Sequence, residues 1–203
     1  MLAAEDLRFQ YGRQAPWVVD GIDLAVEKGE VVGLIGPSGI GKSTLGRLLA
    51  GHLEPLSGRI LADGEPLPRA GICPVQLIFQ HPEFAVNPRW PIRKIISEAW
   101  TPDARILDMF GIKPNWYDRF PYELSGGELQ RVTLVRALAP GVNYLVCDEI
   151  TAMLDAIAQV TVWRALIHVI AERGIGIVAI SHDPALLDII TNRIVALPSR
   201  WPG

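Results

Sequence analysis

The chain has 203 residues, 49% of them hydrophobic, enough for one domain with a sizeable core. Nineteen Lys and Arg against 22 Asp and Glu give a net charge of −3, which excludes the basic footprint of a general nucleic-acid binder. Cys73 and Cys147 form no CxxC pair, which suits a reducing compartment, and neither a secretory leader nor an apolar run of about 18 residues is found, so no span of a bilayer is expected.

Ile22, Leu24 and Val26 alternate with Asp23 and Ala25, which predicts an antiparallel strand. EKGE at 27–30 reads as a turn. VVGLI at 31–35 is an apolar run, as a strand buried on both faces requires. A glycine loop follows, then a helix with Leu45, Leu48 and Leu49 on one face, closed by Gly51. VQLIF at 75–79 predicts another strand. Residues 91–122 change character: Pro91 and Pro102 read as first-turn prolines, Thr101 as an N-cap, and Ile92, Ile95, Ile96 and Ala99 have helical spacing. A small helical insert is expected there. Ser125 reads as the N-cap of a helix carrying Leu129, Val132 and Val135. YLVCDE at 144–149 and IGIVAIS at 175–181 predict strands, separated by a helix from about Asp155 to Arg173. Alternating strands and helices predict an α/β fold with a mainly parallel sheet flanked by helices, and antiparallel β strands at the N-terminus. No repeat, linker or low-complexity segment divides the chain, so residues 1–203 read as one domain with a helical subdomain of about 88–138 inserted.

Two segments offer cradles for phosphate. GPSGIGKST at 36–44 fits G-x-x-x-x-G-K-[ST] and lies between a predicted strand and a predicted helix, the context this motif needs. Backbone N–H groups and the helix end would hold phosphates, Lys42 would reach the outer ones, and the Ser43 hydroxyl would bind Mg²⁺. An ordinary glycine-rich turn is the alternative. The second cradle is LSGGELQR at 124–131. Two glycines in the first turn of a helix cost about 1 kcal/mol each against Ala, but leave bare N–H groups at a positive helix end. The strand YLVCDE ends in two acids: Asp148 can hold Mg²⁺, and Glu149 can polarise an attacking water.

The order of these features, with Gln80 after one strand and His182 after another, resembles the ATP-binding subunits of ABC transporters along essentially the whole chain. The resemblance implies a P-loop NTPase core. Gly36, Pro37, Ser38, Gly39, Ile40, Gly41, Lys42, Ser43 and Thr44 match the Walker A motif. Gln80 matches the Q-loop glutamine, which touches Mg²⁺ and senses the permease. Leu124, Ser125, Gly126, Gly127 and Glu128 match the signature motif. Asp148 and Glu149 match the Walker B aspartate and the catalytic glutamate, Asp155 the D-loop aspartate, and His182 the switch histidine near the γ-phosphate. Tyr11 stands where the family stacks an aromatic on adenine. Taken singly, Gln80 could be a strand-end polar residue, His182 a loop histidine, and Tyr11 a core aromatic on an edge strand.

FQHPEFAVNPRW at 79–90 is similar to the FQDP…SLNPR pattern of oligopeptide, dipeptide and nickel importers, with HP for DP and AVNPR for SLNPR. ITAMLD at 150–155 stands where PTSALD-like sequences are usual. The proline is lost and Asp155 is kept, as in some nickel or metallophore importer subunits. Glu128 stands where Gln is commonest. A carboxylate there should weaken binding of a partner's nucleotide, unless it caps its own helix. With Gly203 so soon after His182, no C-terminal extension is expected.

The resemblance therefore implies an ATPase subunit that uses ATP and Mg²⁺ to power uptake of peptides or nickel and other metal chelates. Its partners would be a second ATPase subunit, identical or different and docked head to tail, membrane permease subunits and, indirectly, an extracytoplasmic binding protein, with no nucleic acid. It would sit peripherally on the cytoplasmic face of the inner membrane. In this family the region after Gln80 forms the groove for a cytoplasmic permease helix. An exposed Trp90 and Phe84 would be its anchors, unless both pack inside the insert. The competing readings are a soluble ABC-type ATPase acting on DNA or ribosomes, which usually carries coiled coils or two fused units, and an exporter subunit, against which the FQ…NPR segment argues.

Overall fold

The structure, a computed structural model, describes residues 1–198. In chain order the elements are β1 (Leu2–Phe9), β2 (Val19–Val26), β3 (Val31–Ile35), α1 (Lys42–Leu49), β4 (Ser57–Ala62), β5 (Glu65–Pro66), β6 (Val75–Ile78), α2 (Ile92–Ile96), α3 (Ala104–Met109), α4 (Gly126–Ala137), β7 (Tyr144–Asp148), α5 (Ala156–Arg173), β8 (Gly176–Ile180), α6 (Pro184–Ile190) and β9 (Arg193–Ala196). β2, β1, β4 and β5 form an antiparallel sheet in that order. β6, β7, β8, β3 and β9 form a second sheet in which every neighbouring pair is parallel.

The parallel sheet is buried on both faces because side chains on a strand alternate. On β7, Tyr144 and Val146 join α1 (Leu45, Leu48, Leu49) and the antiparallel sheet (Leu7, Val26) in one apolar cluster. Leu145 and Cys147 face the other way, into a cluster with Ile95 of α2, Val132 of α4 and Leu166 of α5. Cys147 is fully buried, and that burial pushes its thiol pKa far up. Helix α1 lies close on the sheet: a Cβ added at Gly46 would meet Val146 at 3.1 Å and Ile180 at 3.2 Å.

One carboxylate joins the two sheets. Asp63 sits in the left-handed turn between β4 and β5, with φ 54°. It accepts the Tyr144 hydroxyl at 2.7 Å and the Asn143 amide at 2.8 Å, both from the start of β7. Burial opposes its ionisation, but the Tyr144 hydroxyl, the chain's amino terminus and Lys28 together hold it well below the usual carboxylate range.

The helical insert departs from its sequence reading in detail. Helix α2 is a short segment that ends at Ile96, where Ser97 turns its hydroxyl back onto the Arg93 carbonyl at 2.8 Å. Ala99, expected on its apolar face, lies beyond the helix and is exposed. Pro91 is the N-cap of α2 and lies just outside its first turn. Helix α3 is capped by Asp103, whose carboxylate accepts the Ile106 N–H at 2.8 Å, and not by Thr101. Pro102 therefore precedes the cap. Ile92, Ile95, Ile106, Phe110 and Trp116 are buried together, as the apolar spacing required. Among the described residues no helix is long and apolar enough to cross a membrane.

Candidate functional site

The carboxyl ends of β3, β6, β7 and β8 lie side by side, and the candidate residues follow directly from them. From β3 the chain turns through Gly36, Pro37, Ser38, Gly39 and Ile40, with the Ile40 N–H on the Pro37 carbonyl, and enters α1 at Lys42. Gly41 makes this turn possible. Its φ is 110°, and a Cβ would lie 2.3 Å from the Val18 carbonyl oxygen. Lys42 Nζ donates to the carbonyls of Gly36 at 2.8 Å and Pro37 at 3.0 Å, which holds the ammonium across the mouth of the loop. Thr44 is buried, and its hydroxyl lies 3.0 Å from that of Tyr11. Tyr11 itself is 61% exposed and packs edge-on against Phe9, so it is no core aromatic: its ring stands open beside the loop.

The acids come from β7. Asp148 ends the strand and hydrogen-bonds Ser43, which joins the loop to the acidic strand. Burial above all, with the Glu149 charge, pushes the Asp148 carboxyl up from its usual value, against the pull of Ser43, Arg47 and Lys42. Carboxylate and hydroxyl oxygens in such surroundings are the hard donor set that suits Mg²⁺, and a cation would offset the burial of charge. Glu149 leaves the strand in the left-handed region, φ 49°, a strained conformation for a non-glycine residue. Its N–H is held by the Ile180 carbonyl of β8 at 3.0 Å. Its Oε2 lies 3.1 Å from His182 Nδ1 and accepts the Gln80 amide at 3.3 Å. His182 is mostly exposed, and follows β8 in a turn that Asp183 pins by capping α6.

The second cradle stands apart. Ser125 caps α4 as expected, and Glu128 completes a capping box: its Oε2 accepts the Ser125 N–H at 2.9 Å and the Ser125 hydroxyl at 3.0 Å. Ser125, Gly126, Gly127 and Glu128 line a cavity of about 320 Å³ with Met153, Leu154 and Asp155. Asp155 caps α5 through the Ala158 N–H at 2.8 Å. In the turn before it, Ile150 is buried and Thr151 accepts the Trp163 indole at 3.2 Å, so the proline-free turn is anchored from the core. The fold thus groups Ser125–Glu128 with Asp155, and Gly36–Thr44 with Gln80, Asp148, Glu149 and His182.

Two further side chains join α4 to the segment after β6. Buried Gln130 donates to the Phe79 carbonyl at 3.3 Å, one residue before Gln80. Arg136 donates to the Ala85 carbonyl and pairs with Glu98. Neither stood out in the sequence, although a glutamine and an arginine among the apolar positions of α4 were the available signal. Of the two readings open for Trp90, packing on the insert holds: it is half-buried against the core with Lys94 3.9 Å above its ring, because the apolar insert gives the indole a surface to cover. Phe84 is 78% exposed.

Comparison with known proteins agrees with this geometry. The family described as "ABC transporter" matches residues 19–152. The "Probable D,D-dipeptide transport ATP-binding protein" of Escherichia coli is 30% identical over 97% of this chain and 69% of its own length. The nickel import ATP-binding protein of Pseudomonas putida is 36% identical over 91% of this chain and 76% of its own length. The chain spans 62% of the length of Brucella abortus relatives named for peptide import. In fold, it matches an ATP-binding subunit of an ABC transporter with a TM-score of 0.84 at 24% identity, over 98% of this chain and 86% of that one. A dimeric, post-hydrolysis ATP-binding cassette bound to ADP and Pi matches with a TM-score of 0.82 at 22% identity, over 98% of this chain and 95% of that one. The glycine loop, the acid-ended strand between two parallel neighbours and the capped helix α4 all lie within the matched residues, and the chain belongs to the ABC transporter family.

Proposed function

We propose that this chain is the ATP-hydrolysing subunit of an importer, and that it works as one half of a head-to-tail pair with a second ATPase subunit. The observation that carries the reading is the convergence of Gln80, Glu149 and His182 beside a loop whose Ser43 already bonds Asp148. In this reading the N–H groups of residues 36–44 and the start of α1 bind the phosphates of ATP, Lys42 neutralises the outer ones, and Tyr11 stacks on the base. Ser43, Gln80 and Asp148 would hold Mg²⁺, which when bound supplies positive charge to the phosphates. Glu149 orients and deprotonates the attacking water, and His182 and Gln80 hold its carboxylate in place. The Ser125–Glu128 cradle and Asp155 serve the partner's nucleotide, since they lie apart from this chain's own loop.

The relatives named for peptide and nickel import support cargo of those classes, peptides or nickel and other metal chelates. Membrane permeases are then the partners, with the helical subdomain of about 88–138 next to them at the cytoplasmic face and an extracytoplasmic binding protein acting indirectly.

Gly126→Asp tests the arrangement. Built on this backbone, a Cβ at Gly126 has only the Met153 sulfur nearby, at 3.7 Å, so the fold accepts it. The isolated variant should bind ATP like the wild type, while ATP-dependent dimerisation and hydrolysis fail. Loss of ATP binding in the isolated monomer would mean that the cradle acts within its own subunit.

A further inference from the structure

Ser125 and Glu128 are joined by three hydrogen bonds. The Ser125 N–H and hydroxyl both donate to Glu128 Oε2, at 2.9 and 3.0 Å, and the Ser125 hydroxyl oxygen accepts the Glu128 N–H at 3.3 Å. A serine hydroxyl has one proton and two lone pairs. Here the proton and one lone pair are committed inside the subunit. What faces an incoming anion is a lone pair, with a carboxylate behind it. The Ser125 N–H and hydroxyl, with the nearby Arg119 and Lys113 charges, hold that carboxyl below its usual range against the effect of burial, so the anion persists. The helix end that would receive a phosphate already carries an anion of its own.

We infer that Glu128 is a positioning residue: by retaining the Ser125 hydroxyl proton within its own subunit, it restrains closure of this cradle on the partner's γ-phosphate. The inference rests on the head-to-tail reading above. Closure requires the Ser125 proton to leave a carboxylate for a phosphate oxygen, an exchange between two charge-assisted bonds that yields little. A neutral glutamine at 128 still accepts the Ser125 N–H through its amide oxygen, so the cap survives. It holds the hydroxyl proton less strongly, and its NH₂ adds a donor. The device sets how long ATP keeps the pair shut, and a restrained cradle releases its partner sooner.

The test uses the full chain carrying Glu149→Gln, so that ATP is retained, and reads the concentration of half-dimerisation in MgATP. Adding Glu128→Gln should tighten the dimer about tenfold. The melting temperature should stay within about 4 °C, because the cap is kept. In a Ser125→Ala background the same change should gain about threefold or less, because the hydroxyl through which Glu128 acts is gone. With Glu149 intact, Glu128→Gln should lower the KM for ATP more than it raises kcat. An equal gain in both backgrounds would mean that the carboxylate acts by its charge alone. Dimerisation that depends on ATP yet ignores Glu128→Gln, with or without a fall in melting temperature, would leave Glu128 as a helix cap and overturn the inference alone. If no variant dimerises with ATP, the head-to-tail reading falls and takes the inference with it.

Discussion

Glu149 Oε2 lies 3.1 Å from His182 Nδ1, although 33 positions of chain separate the two residues. They meet because β7 and β8 are parallel neighbours with Asp148 opposite Ile180, so each residue is the first or second beyond its strand end. Gln80 reaches the same oxygen from β6, on the other side of β7.

This cluster predicts the behaviour of Glu149→Gln. The amide keeps the shape and loses the base, so ATP binding should persist while phosphate release falls by about 10²-fold or more. His182→Ala should also slow release with little change in ATP affinity, since the contact its ring makes is with Glu149. Near-normal turnover in Glu149→Gln would assign the base to another group.

Tyr11 separates ring from hydroxyl. Tyr11→Ala should weaken ATP binding about tenfold in an equilibrium titration, the scale of one base stacked on one aromatic. Tyr11→Phe should bind nearly as the wild type, because it loses only the bond to Thr44. If Phe is as damaging as Ala, the tyrosine serves to hold Thr44.

Phe84 and Trp90 should part company. Phe84 is exposed and touches His81 edge-on, so Phe84→Ala should leave the melting temperature and basal ATPase unchanged while lowering transport in membranes containing the permeases. Trp90 packs on the core, so Trp90→Ala should cost about 2 kcal/mol of stability. Wild-type transport in Phe84→Ala would remove it from the permease contact.

Asp63 links stability to pH. Its pKa is depressed in the folded state, so its contribution is fully present above the unfolded carboxylate value of about 4 and is lost as pH falls below it. Asp63→Asn should lower the melting temperature at pH 7 by about 2–6 °C, and the difference from wild type should narrow as pH is taken from about 5 to 3. A difference independent of pH would mean that packing, and not the charge, joins the two sheets.

Local chemistry was legible in the sequence. The glycine–lysine loop, the apolar strands, the Ser125 cap and the helix from Asp155 to Arg173 depend on neighbours within a few residues, and period, capping and turn chemistry report those directly. The insert was read less well. Thr101 and Asp103 are both good N-caps, and the structure gives the Ile106 N–H to Asp103. Trp90 was left open between anchor and packing because a half-buried indole on a short insert has no periodic signature. Strands β5 and β9 and helix α6 are short, and they form because existing sheets and loops offer them partners.

The candidate site divides in the same way. The glycine loop at 36–44, the helix start at 125–128 and the acids at 148–149 pointed to phosphate, metal and proton chemistry by residue type and context, whereas Gln80 and His182 stood out only through the family resemblance. Their grouping was decided by the order of the parallel strands, which brings Gln80 and His182 to the Glu149 carboxylate while leaving Ser125–Glu128 with Asp155 in a separate cavity. The sequence could state that Glu128 was either a charge facing a nucleotide or a cap. Only the fold of the 125–128 turn, where backbone direction decides which oxygen a hydroxyl reaches, made it a cap that also holds the serine proton.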